Sequence, residues 1–336
     1  MRYIAVNNNK SNSVVIGHEY TITTFNIGFG AYSQGYSFFM DEGAFKSGEK
    51  TKGENSRALS EEDVKNNTQG ALKLLASKAA SDFYFFQEVD TDSSRSYYID
   101  QAKIISDTYA STHSSSFASN FHTGQLFYPL NQPIGKINSG IMTLSRYSVS
   151  YSIRRSLPVS TNFVEKFFDL DRCFMVTKVP IHGSTKSLVL VNVHLSAYDE
   201  GDIRTEQLKV LYDYINYEYN TNENYVVVGG DFNHSLAGEA GIFANEMVVP
   251  NWCKTLPEAY SEEKFNDIGF NINYDLSTTI GTCRDSSTHY AEGVNLEVIL
   301  DGFITSDNIK VNKTQTIDGD YKNSDHNPVK LSFTLL

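Results

Sequence analysis

Short apolar runs of strand length recur along this 336-residue chain, and polar residues stop or interrupt six of them. Thr24-Phe25-Asn26 ends the first. Asp82-Phe83-Tyr84-Phe85-Phe86 gives way to Gln87-Glu88. The run 188–193 ends at His194, and the run 225–228 enters Gly229-Gly230-Asp231-Phe232-Asn233. Asp301 interrupts the run that begins Val298-Ile299-Leu300, and Asp325-His326 stands just before Leu331-Ser332-Phe333. A chain of this kind builds sheets and places polar residues at strand ends. One carboxylate there is ordinary, because loops begin at strand ends. Three or more, with two His and two Asn, would repel one another unless a cation held them, since buried carboxylates are costly when unpaired.

Helices separate the runs. Ser60 followed by Glu61-Glu62-Asp63 reads as a capped helix start, continued by Val64, Leu72, Leu75 and Ala79. A second helix is expected over about 97–109. A third covers 203–217, with Leu208, Leu211 and Ile215 on one face. Further strands are expected at 140–144, 147–153, 174–179, 296–304 and 309–316. Residues 28–58, rich in Gly, Ser, Tyr and Phe, read as a long loop, and 234–295 as loops with one short helix. Strands alternating with helices in the first half, and hairpin-like pairs in the middle, predict a mixed sheet system covered by helices. No linker, repeat or low-complexity tract divides the chain, so a single domain over 1–336 is expected, with 1–19 as a peripheral N-terminal segment.

The net charge is −12 and the pI about 5.1. This opposes a broad basic face for duplex nucleic acid, whose affinity comes mainly from Lys and Arg neutralising phosphates. A local phosphate site is still allowed, because a metal ion and one or two Arg residues can make a positive spot on an acidic protein. No stretch approaches the ~20 apolar residues that span a bilayer, and residues 1–12 are polar. The chain as read is therefore cytoplasmic, or secreted or membrane-anchored if a leader or anchor has been removed. Among three cysteines, Cys173 reads as a buried thiol, and pairing of Cys253 with Cys283 is left open.

The polar types at the strand ends suit oxygen ligation of a hard divalent ion such as magnesium, which takes one or two carboxylates and keeps waters for a phosphate. They do not suit zinc, which favours Cys and His in compact spacing.

Thr24-Phe25-Asn26, Phe86-Gln87-Glu88, Asn192-Val193-His194-Leu195, Gly229-Gly230-Asp231-Phe232-Asn233, Ile299-Leu300-Asp301-Gly302-Phe303 and Ser324-Asp325-His326 stand in an order that resembles the endonuclease/exonuclease/phosphatase superfamily, which contains deoxyribonuclease I. The resemblance implies a deoxyribonuclease I-like α/β (α+β) fold, a four-layered α/β/β/α sandwich of two mixed β-sheets packed face to face. It implies a magnesium-dependent phosphoric ester hydrolase, with manganese as a substitute. Glu88, Asn26 and Asp325 are the implied metal residues. Asp231 is implied to orient or deprotonate the attacking water, and Asn233 to donate to the scissile phosphate. His326, held by Asp301, is implied to stabilise the transition state. His194 matches a second histidine often given a general-acid role, and Arg172 matches a phosphate-contacting arginine.

Each residue also has a plainer reading. Asn26 and Asn233 suit turns, Asp301-Gly302 suits a turn, and Arg172 suits a surface ion pair. The aromatic run Tyr32, Tyr36, Phe38, Phe39 and Phe45 reads first as loop packing. His182 and His289 have no motif to recommend them, and His234 borders the motif at Asn233.

No basic cluster is present for an inositol polyphosphate, and the charge opposes a duplex nuclease. The expected substrate is a small or lipid-like phosphodiester. A nuclease, a phosphomonoesterase and a non-catalytic binding module are the alternatives. A monomer is expected, with no stable nucleic-acid complex and transient contact with a membrane surface left open.

Overall fold

Alternate residues of a strand face opposite ways, and in strand Phe83–Asp90 both faces are covered. Phe83 and Phe85 lie between two sheets, beside Leu188, Leu190, Val227 and Phe303. Tyr84 and Phe86 face helices, beside Leu72, Leu75 and Ile105. This is why the segment reads as an unbroken apolar run rather than an alternating one. The computed structural model describes residues 1–159, 171–197 and 203–336.

The first large sheet has six strands in the spatial order Ile309–Thr316, Val329–Leu335, Glu19–Asn26, Phe83–Asp90, Gly135–Ser145 and Ser114–Leu126. The second has seven, in the order Arg2–Ile4, Tyr151–Ser156, Cys173–Pro180, Ser187–His194, Tyr225–Asp231, Asp301–Ser306 and Phe270–Asn273. Each sheet contains one parallel pair, Glu19–Asn26 with Phe83–Asp90 and Ser187–His194 with Tyr225–Asp231. A parallel pair needs a crossover connection. Helices Glu61–Lys78 and Ile203–Asn216 lie on those two crossovers and cover the outer faces of their sheets. The result is helix, sheet, sheet, helix: the expected four-layered sandwich.

Local chemistry sets the helix ends. Ser60 Oγ accepts the Asp63 N–H at 3.0 Å, and three acidic residues fill the first turn. That arrangement satisfies an orphan donor and complements the helix dipole. The second helix starts later than the sequence suggests, at Gln101, because Asp100 caps it by accepting the Lys103 N–H at 2.9 Å. Arg2–Ile4 forms the edge of the seven-stranded sheet, while Val14 is fully buried between the sheets.

Several expectations change. The stretch 234–295, expected as loops with one short helix, contributes strands Ile242–Phe243, Phe270–Asn273 and Cys283–Arg284, and the expected loop 28–58 contains the strand pair Glu42–Ala44 and Lys50–Lys52. Strand Ser114–Leu126, 13 residues long, was not legible. Its sequence is rich in Ser, and it owes its order to its ladder with Gly135–Ser145 rather than to an apolar face. The single strand expected over 296–304 is two: Glu297–Val298 in a small three-stranded sheet and Asp301–Ser306 in the large one. Thr282 Oγ1 takes the N–H groups of Leu300 and Asp301, both at 2.9 Å, where the chain passes between sheets. The expected strand 147–153 lies instead at Tyr151–Ser156. Cys173, Cys253 and Cys283 are all buried free thiols, so Cys253 and Cys283 are not paired. No helix among the described residues is long and apolar enough to cross a membrane.

His113 gives a prediction far from the strand-end cluster. It is buried between Tyr84 and Tyr109, with Nε2 3.1 Å from the Ser81 carbonyl oxygen. Burial pushes its pKa down to about 4, against the pull of that carbonyl. Between that value and 6.5 the unfolded chain therefore binds more protons than the folded one. Stability is lost as pH falls through this window, by up to about 3 kcal/mol. Urea unfolding of His113→Gln should show a correspondingly weaker loss between pH 7 and pH 4. An unchanged acid slope would reject this.

Candidate active site

Both parallel pairs end at the same edge of the sandwich, and this brings the polar strand ends together. Asn26 closes strand Glu19–Asn26 and is fully buried. Its Nδ2 lies 3.2 Å from Glu88 Oε1, 3.0 Å from Asp231 Oδ2 and 3.4 Å from His326 Nε2. Its Oδ1 accepts the Gly28 N–H at 3.0 Å.

Glu88 reaches this point through a bulge. The pairing of Phe83–Asp90 with Gly135–Ser145 shifts between Phe86 and Val89, and Glu88 takes a positive φ of 53°. A bulge re-aims a side chain, and a left-handed backbone at a non-glycine residue costs ~1–3 kcal/mol, so such strain concentrates at sites. Just below, Gln87 Nε2 donates to Asn192 Oδ1 across the sheets at 2.8 Å, and Asn192 Nδ2 donates to the Met142 carbonyl at 2.9 Å. This buried polar link fixes one sheet edge against the other. Both residues stand in motif segments, Gln87 before Glu88 and Asn192 two residues before His194, yet neither was given a role from the sequence.

Asp231 ends strand Tyr225–Asp231 and pairs in register with His194 on one side and Asp301 on the other. The preceding Gly230 has φ 144°, and a Cβ there would sit 2.0 Å from the Val193 carbonyl oxygen. Only glycine allows the two strands to approach so closely. Asp231 Oδ1 accepts the Asn233 N–H at 2.9 Å. Oδ2 lies 3.6 Å from His194 Nε2 and 3.7 Å from His326 Nε2. Burial pushes the Asp231 carboxyl up to about 6, with His326 opposing. Burial also pushes Asp325 up to about 6, again against His326, and Glu88 adds to the rise.

The two histidines are in opposite states. His326 Nδ1 lies 2.7 Å from Asp301 Oδ2, and both residues are buried. Burial opposes charge on His326, but Asp301, with Cys283 and Asp231, outweighs it and holds the pKa well above its ordinary value. His194 is driven well below its ordinary value by burial, and then by Arg172, His326 and Arg95. Asp301 thus favours the charged form of His326, and burial favours the neutral form of His194.

Arg172 and Asn233 line the same cleft. Asn233, at φ 50°, donates from Nδ2 to the Leu195 carbonyl at 2.7 Å, leaving one amide hydrogen for a ligand. All nine residues expected from the sequence thus meet at one sheet edge. His234 does not line the cleft, and its Nδ1 lies 2.8 Å from the Phe232 carbonyl oxygen.

Among the described residues, two groups bring potential ligand atoms within 4.8 Å of one another: Asp231, Asp301 and His326, and Cys283, Asp325 and His326. Glu88 belongs to neither and meets Asn26 and His194 instead. The carboxylates of Glu88, Asp231 and Asp325 face one cleft. The guanidinium of Arg95 in its wall is already held by Asp90 through two bonds of 3.0 and 2.9 Å. Converging oxygen donors, with the ionisation of Asp231 and Asp325 opposed by burial, fit a hard divalent cation.

The other half of the cleft is apolar. Phe29, Tyr32, Phe38, Met40, Phe121 and Trp252 line it. Phe29, Tyr32 and Phe38 come from the long 28–58 loop. Much of that loop packs inward, as its plainer reading expected: Tyr36 and Phe39 are buried in apolar clusters. Arg284 holds it by donating from Nη2 to the carbonyls of Ser33 and Tyr36 at 3.1 and 3.2 Å. Phe121 and Trp252 were not expected from the sequence, because a single aromatic in a polar stretch carries no positional signal.

The model of the endonuclease/exonuclease/phosphatase family matches residues 23–319. Similar solved structures include an endonuclease/exonuclease/phosphatase from Beutenbergia cavernae, 13% identical with TM-score 0.57, covering 94% of this chain and 72% of that one. The human Nocturnin catalytic domain with bound sulfate is 14% identical with TM-score 0.55, covering 99% of this chain and 98% of that one. D. rerio TDP2 complexed with single strand DNA product is 13% identical with TM-score 0.55, covering 94% of this chain and 99% of that one. No curated protein matches the chain in sequence. The structural likenesses establish the fold, and the family match covers most of the chain. The chain belongs to the endonuclease/exonuclease/phosphatase family.

Proposed function

We propose that this protein is a divalent-metal-dependent phosphoester hydrolase whose preferred substrate is a small or lipid-like phosphodiester. The observation that carries the reading is the meeting of Glu88, Asp231 and His326 around the buried amide of Asn26. Glu88, Asn26 and Asp325 would hold magnesium or manganese. When bound, such an ion supplies an acidified water or shields charge on the leaving oxygen.

The chain's own residues do the rest. Asp231, with its pKa near neutrality, orients the attacking water and takes its proton. His326, fixed through Nδ1 by Asp301, directs Nε2 at the phosphoryl oxygens and stabilises the charge that builds there. Arg172 and the free amide hydrogen of Asn233 bind the phosphate. His194 enters neutral, so it hydrogen-bonds the phosphate or leaving group rather than acting as a charged acid.

The substrate preference is supported by two features. The net charge of −12 repels long polyanions at a distance. The aromatic half of the cleft offers an apolar or ring-bearing group a wall of Phe29, Tyr32 and Phe38. The same rings could stack a base, because every base has a π-face. A nuclease acting on single strands is therefore the second reading.

A panel of aryl phosphodiester, choline phospholipid, phosphomonoester, single-stranded oligonucleotide and supercoiled plasmid separates these readings. Hydrolysis of a small diester or lipid with magnesium or manganese, and none in chelator, is expected. Full activity in chelator would defeat the metal assignment. Efficient cleavage of nucleic acid alone would establish the second reading. Glu88→Gln should raise the magnesium needed for half-maximal rate by ~10–100-fold, with an unchanged circular dichroism spectrum. An unaltered magnesium requirement would remove Glu88 from the metal site.

A further inference from the structure

Cys283 belongs to none of the strand-end motifs, yet the fold places it against His326. The two residues are paired in an isolated antiparallel bridge. The Arg284 N–H reaches the Asp325 carbonyl at 2.9 Å, and the Asn327 N–H reaches the Thr282 carbonyl at 2.7 Å. These bonds flank Cys283 and His326 without joining them, so they form a non-hydrogen-bonded pair. In such pairs the Cα atoms approach to ~4.5 Å and the side chains lie close together. The ligand atoms of Cys283, Asp325 and His326 fall within 4.8 Å of one another, and all three residues line the cleft.

We infer that Cys283, Asp325 and His326 form an inhibitory site for a thiophilic divalent cation of the zinc type. Thiolate, imidazole and carboxylate are the donor types zinc prefers, and three protein ligands leave its fourth position open to water or a phosphate oxygen. The imidazole is prepared for this. Asp301 holds Nδ1, which leaves Nε2 to face a ligand, and a carboxylate behind a metal-binding histidine is the usual supporting arrangement. Binding exchanges the thiol proton of Cys283 for the metal: an S–H bond breaks, an S–metal bond forms, and the proton goes to solvent. The same event takes Asp325 from the magnesium site and His326 from the phosphoryl oxygens. The inhibitory part of this inference rests on the hydrolase reading, and the binding part does not.

Cobalt titration of the full chain tests binding. A thiolate-to-cobalt charge-transfer band at one equivalent is expected, lost in Cys283→Ser and kept in Cys253→Ser. Absence of the band, or its survival in Cys283→Ser, would overturn the site. Zinc titration of turnover in saturating magnesium tests inhibition, each variant being normalised to its zinc-free rate. Half-inhibition should require at least ~10-fold more zinc in both Cys283→Ser and Cys283→Ala, the lower end of what disturbing even an outer-shell partner causes. Equal zinc sensitivity in wild type and Cys283→Ser would overturn the inhibitory role. If no phosphoester is turned over, the cobalt spectrum alone decides the site, so the two failures stay distinct.

Discussion

Replacing Asp231 by Asn should lower phosphodiester turnover by ~10²–10⁴-fold, the usual contribution of a general acid–base group, while removing a pH-dependent loss of stability from the metal-free protein. The first effect follows from position. Asp231 Oδ2 lies between Asn26 and the two histidines, and Oδ1 is fixed by the Asn233 N–H. An amide of the same shape keeps that bond but cannot take a proton from water, and its NH2 cannot accept the Asn26 Nδ2 hydrogen that Oδ2 accepts. The second effect follows from burial, which pushes the Asp231 carboxyl up to about 6. The folded state therefore holds this proton more tightly than the unfolded chain does. Stability declines as pH rises through the interval from about 4 to 6, and the deficit is complete above it. Asn removes that deficit and, at every pH, also loses the bond from Asn26 Nδ2, so its stability relative to the wild type should rise between pH 4 and pH 8 by on the order of 1–3 kcal/mol. Thermal melts at pH 4 and pH 8, with turnover at pH 8, check both parts. Near-normal turnover would remove Asp231 from the chemistry, and a stability difference from wild type that is the same at pH 4 and pH 8 would refute the electrostatic account.

His326→Ala should cost both turnover and folding free energy. Turnover should fall by ~10² or more, because the imidazole proposed to face the phosphoryl oxygens is lost. Stability should fall by ~3–5 kcal/mol, the usual result of removing one partner of a buried ion pair. Asp301 is completely buried, its Oδ1 has no hydrogen-bond partner among the described residues, and Oδ2 would lose the bond to His326 Nδ1. His326→Gln separates the two losses. Its side-chain amide can still donate towards Asp301, so much of the stability should return while turnover does not. Recovery of turnover in His326→Gln would show that His326 acts only as a structural donor.

Much of this site was legible because its residues end strands. Asn26, His194, Asp231 and Asp301 stop or interrupt apolar runs that the hydrophobic effect assigns to the core, and their spacing along the chain is local information. The helix over Glu61–Lys78 was equally plain, since a Ser cap and an acidic first turn act within a few residues. Strand Ser114–Leu126 was not plain. Its stability comes from backbone bonds to Gly135–Ser145, and nothing in a Ser-rich stretch announces that partner. The expected strand 296–304 was divided for a similar reason, because the hydroxyl that takes two of its N–H groups comes from Thr282.

The sequence by itself determined a mixed sheet system covered by helices, the start of the first helix and the kinds of side chain at the strand ends, because capping, apolar run length and polar stops act over a few residues. Tertiary structure alone decided how those side chains are used. The bulge turns Glu88 to Asn26 by a register shift against a distant strand. The link from Gln87 to Asn192 joins the two sheets. Asp301 charges His326, while burial and nearby cations neutralise His194. The antiparallel bridge sets Cys283 beside His326. Each of these depends on which remote segments pair and on how much water their packing excludes, and neither quantity is written in the periodicity of any one segment.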